Sequence, residues 1–149
     1  METQRSLAND LKFGLAQEVD ILPTLQGNWD DEVNIRNTKD IYNDDYYPYD
    51  FESENATSWE VKSRRINKHH YPTTIIPVHK VRNVDTPQYF VFNFKDACSY
   101  IKYDKELFST FNQRMISVSR FGGNPKPVNH YEIPVILLTD LIRVYRIDV

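Results

Sequence analysis

Trp59-Glu60-Val61-Lys62-Ser63-Arg64-Arg65 alternates apolar and charged side chains, the period of an extended strand. Within a strand from Thr57 to Arg65, Trp59 and Val61 share one face while Glu60, Lys62 and Arg64 share the other. Upstream, the aromatic run Tyr46 to Phe51 is also compatible with a strand, with Tyr47, Tyr49 and Phe51 on one face and Asp50 on the opposite one. The Asn55-Ala56 region turns the chain between the two. An antiparallel pair closed by that turn sets Asp50 against the start of the next strand and makes an Asp…Glu-x-Lys constellation.

Outward from this pair, Leu7, Leu11, Leu15 and Leu22 fall in a narrow arc that predicts a helix from Ser6 to Leu22, closed by Pro23. Glu18 lies on the same arc, where a carboxylate is costly unless something pairs with it or a metal uses it. Gln26 to Asp45 is polar and aperiodic, and reads as loop with short irregular elements whose acidic cluster is solvated. Thr74 to Val81 is β-branched and would place Ile76, Val78 and Lys80 on one face, but Pro77 makes any strand there short, irregular or an edge. Strands follow at Tyr89 to Phe94 and Ser99 to Tyr103, with a turn at Asp96-Ala97. The spacing of Leu107, Phe111 and Met115 predicts a helix over Lys105 to Met115. Gly122-Gly123-Asn124-Pro125 is a loop, Tyr131 to Leu138 a late strand, and Leu141 to Val144 a short strand or helical piece. The alternation of strands and helices places the chain in the α/β class.

The chain's 149 residues have room for one domain, 1–149. A composition of 40% hydrophobic and 26% charged residues is that of a globular protein, and ten tyrosines with eight phenylalanines suit a sheet core. The net charge of −3 excludes a uniformly basic nucleic-acid coat. The signs are nonetheless segregated. Acidic residues crowd Asp30 to Glu54, and Lys62, Arg64, Arg65, Lys68, Lys80 and Arg82 follow, a block able to meet backbone phosphates. The lone Cys98 excludes a disulfide framework and a four-cysteine zinc site, and reads as a small buried side chain. No apolar run reaches transmembrane length and the start of the chain does not resemble a secretory signal, so an intracellular, cytoplasmic setting without a membrane partner is expected.

Phosphodiester hydrolysis needs an activated water, stabilisation of developing negative charge and relief for the leaving oxygen. Mg²⁺ or Mn²⁺ on hard oxygen ligands supplies these. Asp50 and Glu60 are the expected metal carboxylates, with the carbonyl of Val61 as a further oxygen. Lys62 can orient the water, act as base or neutralise charge, and the sequence does not choose between those roles. Glu18 is a supporting residue that can hold a metal-bound water. Arg64, Lys80 and Arg82 are candidate phosphate contacts, Arg65 a peripheral one.

Glu18, Asp50, Glu60 and Lys62, in this order, resemble the PD-(D/E)xK, or restriction-endonuclease-like, nuclease superfamily. In that superfamily a leading helix often carries a supporting glutamate, one strand ends near an aspartate and the next carries Glu-x-Lys. The likeness covers roughly residues 7 to 65; Tyr49 stands where the family's eponymous proline would precede the aspartate. It implies a mixed central sheet flanked by helices and Mg²⁺-dependent endonucleolytic cleavage of DNA, with RNA the alternative. Homodimerisation to address two strands is a further implication. Gln88 to Asp104 with Tyr131-Glu132-Ile133-Pro134-Val135 resembles compact nuclease-like proteins of phage or mobile elements.

Other readings carry less. His69, His70 and His79 cluster without the spacing of a zinc motif, and His130 reads as a structural hydrogen-bonding residue. Gly122-Gly123 lacks the Lys-Ser/Thr of a phosphate loop, and Tyr89, Phe90, Phe92 and Phe94 suit a packed core better than base stacking. The serious competitor is a noncatalytic nucleic-acid-binding or assembly protein that retains a nuclease-like fold.

Overall fold

A computed structural model describes residues 20–45, 47–119 and 123–145 of the chain. Glu18 and most of the helix expected over Ser6 to Leu22 lie outside the described residues, as does Tyr46. Helix α1 (Ile21–Asn28) begins where that helix was expected to stop. Pro23 sits inside its first turn, where the main-chain N–H that proline lacks would be unpaired anyway. Strand β1 (Arg36–Asn37) and the short helix α2 (Thr38–Tyr42) follow, the latter capped by the Asn37 side chain accepting from the Lys39 N–H.

The aromatic run contributes less strand than its alternation predicts: only β2 (Phe51–Glu52) is extended, and residues 48–50 bend. Thr38 accounts for the bend. Its N–H donates to the Asp50 carbonyl at 2.9 Å and its hydroxyl to the carbonyls of Tyr49 and Asp50, so these acceptors face α2. The expected turn after β2 is present, with Ala56 at a φ of 63°. Glu32 clasps it from outside by accepting from Ser53, Asn55 and Thr57. Burial pushes the Glu32 pKa up, but those three hydrogen bonds outweigh it and hold the carboxyl below its ordinary value. One member of the acidic cluster is therefore a structural clamp.

Strand β3 (Ser58–Ser63) pairs antiparallel with β2, Phe51 opposite Trp59. The chain then leaves this sheet, forms β4 (Thr73–Pro77) and a 3₁₀ turn (Val78–Lys80), and returns as β5 (Gln88–Asn93), parallel to β3. Strand β6 (Cys98–Lys102), helix α3 (Lys105–Ser109), β7 (Gln113–Val118), β8 (Lys126–Pro134), a second 3₁₀ turn (Val135–Leu137) and β9 (Thr139–Asp140) complete the order. The result is a mixed α/β architecture of two sheets, β1-β2-β3-β5-β6-β9 and β4-β8-β7, flanked by a few short helices. Pro77 ends an edge strand, as a residue without a donor should.

The helix expected over Lys105 to Met115 stops at Ser109. Residues from Gln113 join a six-residue antiparallel ladder with β8 that leaves Met115 59% exposed, so non-local pairing overrides the spacing by four. Two cores result. Leu25 and Trp29 from α1 pack on Phe51, Trp59 and Val91, with Trp29 edge-on to Trp59 at 5.7 Å. On the other face Phe90, Phe92 and Ile101 meet Ile76 and Ile133 of the second sheet and Phe108 of α3. Cys98 is buried in the first core with a free thiol, its pKa pushed up to about 11 by burial. No helix among the described residues is long and apolar enough to cross a membrane.

Candidate active site

The alternation of β3 sends Trp59 and Val61 toward the α1 core and leaves Glu60 and Lys62 on the face of their β5 partners Phe90 and Phe92. Glu60 is thereby carried into a nearly closed position, 7% exposed. Burying a carboxylate there is expensive unless its charge is met. Two cations meet it. Lys62 Nζ stands 3.3 Å from Glu60 Oε1, and Lys80 Nζ stands 3.4 Å from the same oxygen. Lys62 comes from the same strand, whereas Lys80 arrives from the 3₁₀ turn that follows β4. Lys80 also donates to the Pro48 carbonyl at 3.1 Å and ties that turn to the segment before Asp50.

Glu60 Oε2 is buried and has no hydrogen-bond partner. Burial first, and then the neighbouring charge of Asp50, raise the Glu60 pKa; Lys80 and Lys62 pull the other way without cancelling the rise. Asp50 is thus close enough to be felt electrostatically, and its position is fixed. Val61 N–H donates to Asp50 Oδ2 at 2.7 Å, while the Asp50 N–H donates to the Trp59 carbonyl at 3.1 Å.

Arg82 borders the same region. Its Nη2 donates to Ser58 Oγ at 2.7 Å, and its guanidinium lies 4.0 Å from the centroid of the Tyr49 ring. Its main-chain N–H is held by Gln88 Oε1 at 3.0 Å. Arg64 is directed elsewhere: Nη2 donates to the Ile75 carbonyl at 2.7 Å, and the guanidinium lies over Phe92. Of the residues singled out from the sequence, Asp50, Glu60, Lys62 and Lys80 therefore converge, Arg82 adjoins them, and Arg64 does not. Val61 enters through its N–H. Sequence reasoning missed Pro48, Tyr49, Ser58 and Gln88, which position these groups by contacts that no spacing announces.

Among the described residues no group of three or more His, Cys, Asp or Glu side chains is arranged to hold a metal ion. His130 makes a 2.8 Å contact from Nδ1 to the Val128 carbonyl, a structural use of the ring. What the cluster offers a cation is the two carboxylates of Asp50 and Glu60, the latter with one orphaned buried oxygen. Mg²⁺ is commonly bound by only one or two carboxylates and keeps several waters, so this donor set suits it chemically. No protein-family model, no curated protein and no solved structure matches this chain.

Proposed function

We propose that the chain is a divalent-metal-dependent nuclease that hydrolyses phosphodiester bonds, by endonucleolytic cleavage of DNA, with RNA the alternative substrate. The reading is carried by Glu60, a buried carboxylate flanked by Asp50, with two ammonium groups on one oxygen and no partner on the other. An ordinary surface ion pair would leave neither a buried orphan oxygen nor a raised carboxyl pKa. The order of elements supports a restriction-endonuclease-like sheet: Asp50 heads β2, Glu-x-Lys lies on the adjacent β3, and α1 covers one face. The second face departs from an all-helical flank, since β4 and β8 cover it together with α3.

Asp50 and Glu60 would hold Mg²⁺ or Mn²⁺, with the Val61 carbonyl as a further oxygen. The bound ion supplies a Lewis acid and an activated water. The chain's own groups do the rest. The Val61 N–H holds the Asp50 carboxylate in place so that it need not reorganise when substrate arrives. Lys62 keeps an ammonium beside Glu60, where it stabilises charge developing on the phosphoryl oxygens. Lys80 and Arg82 add positive charge for the scissile or a neighbouring phosphate, and Arg82 is kept rigid by Tyr49 and Ser58. Glu18, outside the described residues, is retained in the proposal as a supporting carboxylate.

The test is scission of supercoiled plasmid and labelled linear DNA or RNA with and without Mg²⁺ or Mn²⁺, on the parent and on Asp50→Ala, Glu60→Ala and Lys62→Ala proteins. Cleavage that needs the metal and is lost in each folded variant supports the reading. Unchanged cleavage in all three rejects the site. Substrate binding without cleavage in the parent favours the noncatalytic alternative.

A further inference from the structure

The charged face of β3 extends past Glu60 and Lys62 to Arg64, whose N–H continues the ladder by donating to the Asn93 carbonyl at 2.8 Å. Arg64 lines a cavity of about 540 Å³ together with Tyr71, Thr73, Thr74, Ile75 and Arg114. Two arginines, one just past the end of β3 and one from β7, thus border one cavity. The Arg64 guanidinium gives Nη2 to the Ile75 carbonyl at 2.7 Å and Nε to Thr74 Oγ1 at 3.4 Å, and has Phe92 beneath it at 5.7 Å. Those partners are all neutral. A guanidinium carries five N–H donors, so these contacts leave donors for a ligand. Burial alone lowers the Arg64 pKa, as expected of a cation short of counter-charge.

Arg114 stands on β7 with its side chain 60% exposed, and its Nε lies 3.3 Å from Glu132 Oε1. Tyr71 is 57% exposed, with His70 edge-on to its ring at 4.5 Å. The cavity therefore offers two guanidiniums, one of them paired with Glu132, and an accessible aromatic ring. That set suits a phosphate with a flat base attached.

We propose that this cavity is a phosphate subsite for a nucleic-acid strand, in which Arg64 and Arg114 grip one phosphate while Tyr71 stacks on an adjoining base. The proposal rests on the nuclease reading of Asp50, Glu60 and Lys62 only for what the strand is doing there. Four residues along a strand separate Arg64 from Glu60, roughly 13 Å at the usual rise. A few nucleotides of one strand span that length. Contacts to phosphate and to a ring face do not distinguish bases, so the subsite fixes register and leaves sequence unread.

Fluorescence anisotropy of a short labelled single-stranded oligonucleotide, measured in EDTA so that nothing is cut, tests this on the full chain. Arg114→Gln, which removes a largely exposed side chain, should weaken binding about tenfold and reduce the salt slope by about one. Arg64→Lys keeps the charge but not the fork, and should weaken binding similarly. Glu132→Gln should tighten binding by releasing Arg114, an effect that a misfolded protein would not give. The same losses should appear in a Glu60→Gln background, which separates this subsite from the catalytic reading: if metal-dependent cleavage fails while the Arg114 effect persists, only the nuclease assignment falls. Folded Arg114→Gln and Glu132→Gln proteins that bind like the parent overturn the subsite. Orthophosphate that shifts the Arg64 and Arg114 side-chain NMR signals, with oligonucleotide affinity insensitive to Arg114, marks a free-phosphate site and overturns the strand assignment.

Discussion

The Val61 main-chain N–H donates to Asp50 Oδ2 at 2.7 Å, so the strand that carries Glu60 and Lys62 also clamps the carboxylate from the bend that leads into β2. This bond makes Asp50 both a structural and a chemical residue, and the two roles separate by substitution. Asp50→Asn retains an oxygen acceptor and should melt close to the parent while losing metal-dependent cleavage. Asp50→Ala removes the acceptor and should cost about 2 kcal/mol, the scale of a hydrogen bond to a charged group. Paired thermal melts and plasmid scission on the two proteins check this; an Asn variant that cuts like the parent contradicts the role given to the charge.

The raised pKa of Glu60 has a sign that can be followed in solution. Because the folded carboxyl holds its proton above the ordinary 4.5, the folded state binds more protons than the unfolded one between that value and the raised one. The Glu60 contribution to stability is therefore fully present below about pH 4.5 and is lost as pH rises through the folded pKa. A cation on Glu60 must displace that proton. Calorimetric titration with Mn²⁺ in buffers of different ionisation enthalpy should show proton release growing as pH falls from neutrality toward that pKa, and Glu60→Gln should abolish it. Proton release equal in parent and variant would place the linkage elsewhere.

Lys62 and Lys80 share Glu60 Oε1 but reach it from different parts of the chain, and their losses should differ. Lys62→Met should lower the cleavage rate on the order of a hundredfold or more with metal binding retained. Lys80→Met removes one of the two charges that oppose the rise at Glu60, so the acidic limb of the pH–rate profile should move to higher pH. It also frees the turn from Pro48. Profiles of both variants over the acid range are the measurement, and coincident limbs would count against the arrangement.

Ala56 occupies the left-handed region at φ 63° in the turn that brings Asp50 back to Glu60. A residue with a Cβ is disfavoured there by roughly 1 kcal/mol. Ala56→Gly should accordingly raise stability by up to that amount in urea melts, tempered by the greater entropy of glycine in the unfolded chain. A destabilised glycine variant would mean that the turn differs from the one described.

How much of this was legible in the sequence varies from residue to residue. The faces of β3 follow from alternation alone, because Trp59 and Val61 need a core and Glu60 and Lys62 need charge. The turn at Asn55-Ala56 and the edge position of the strand ending at Pro77 were equally accessible, since both follow from local backbone preferences. Two elements were misread for opposite reasons. Pro23 reads as a stop, although proline in a first turn costs no hydrogen bond; the spacing of Met115 reads as helical, although its neighbours gain more by pairing with β8. Lys80 could be named as a cation but not placed, because the path from β4 through a 3₁₀ turn to Glu60 is fixed by contacts far apart in sequence. The Arg64–Arg114 cavity was illegible for the same reason, since Arg64 just past β3 and Arg114 on β7 meet only through contacts between different sheets.

The most direct measurement is anomalous scattering from crystals of the protein soaked in Mn²⁺. A peak is expected within coordination distance of both Asp50 and Glu60 Oε2, lost in Glu60→Gln crystals. Well-occupied manganese elsewhere, with Glu60 still held only by Lys62 and Lys80, would contradict it.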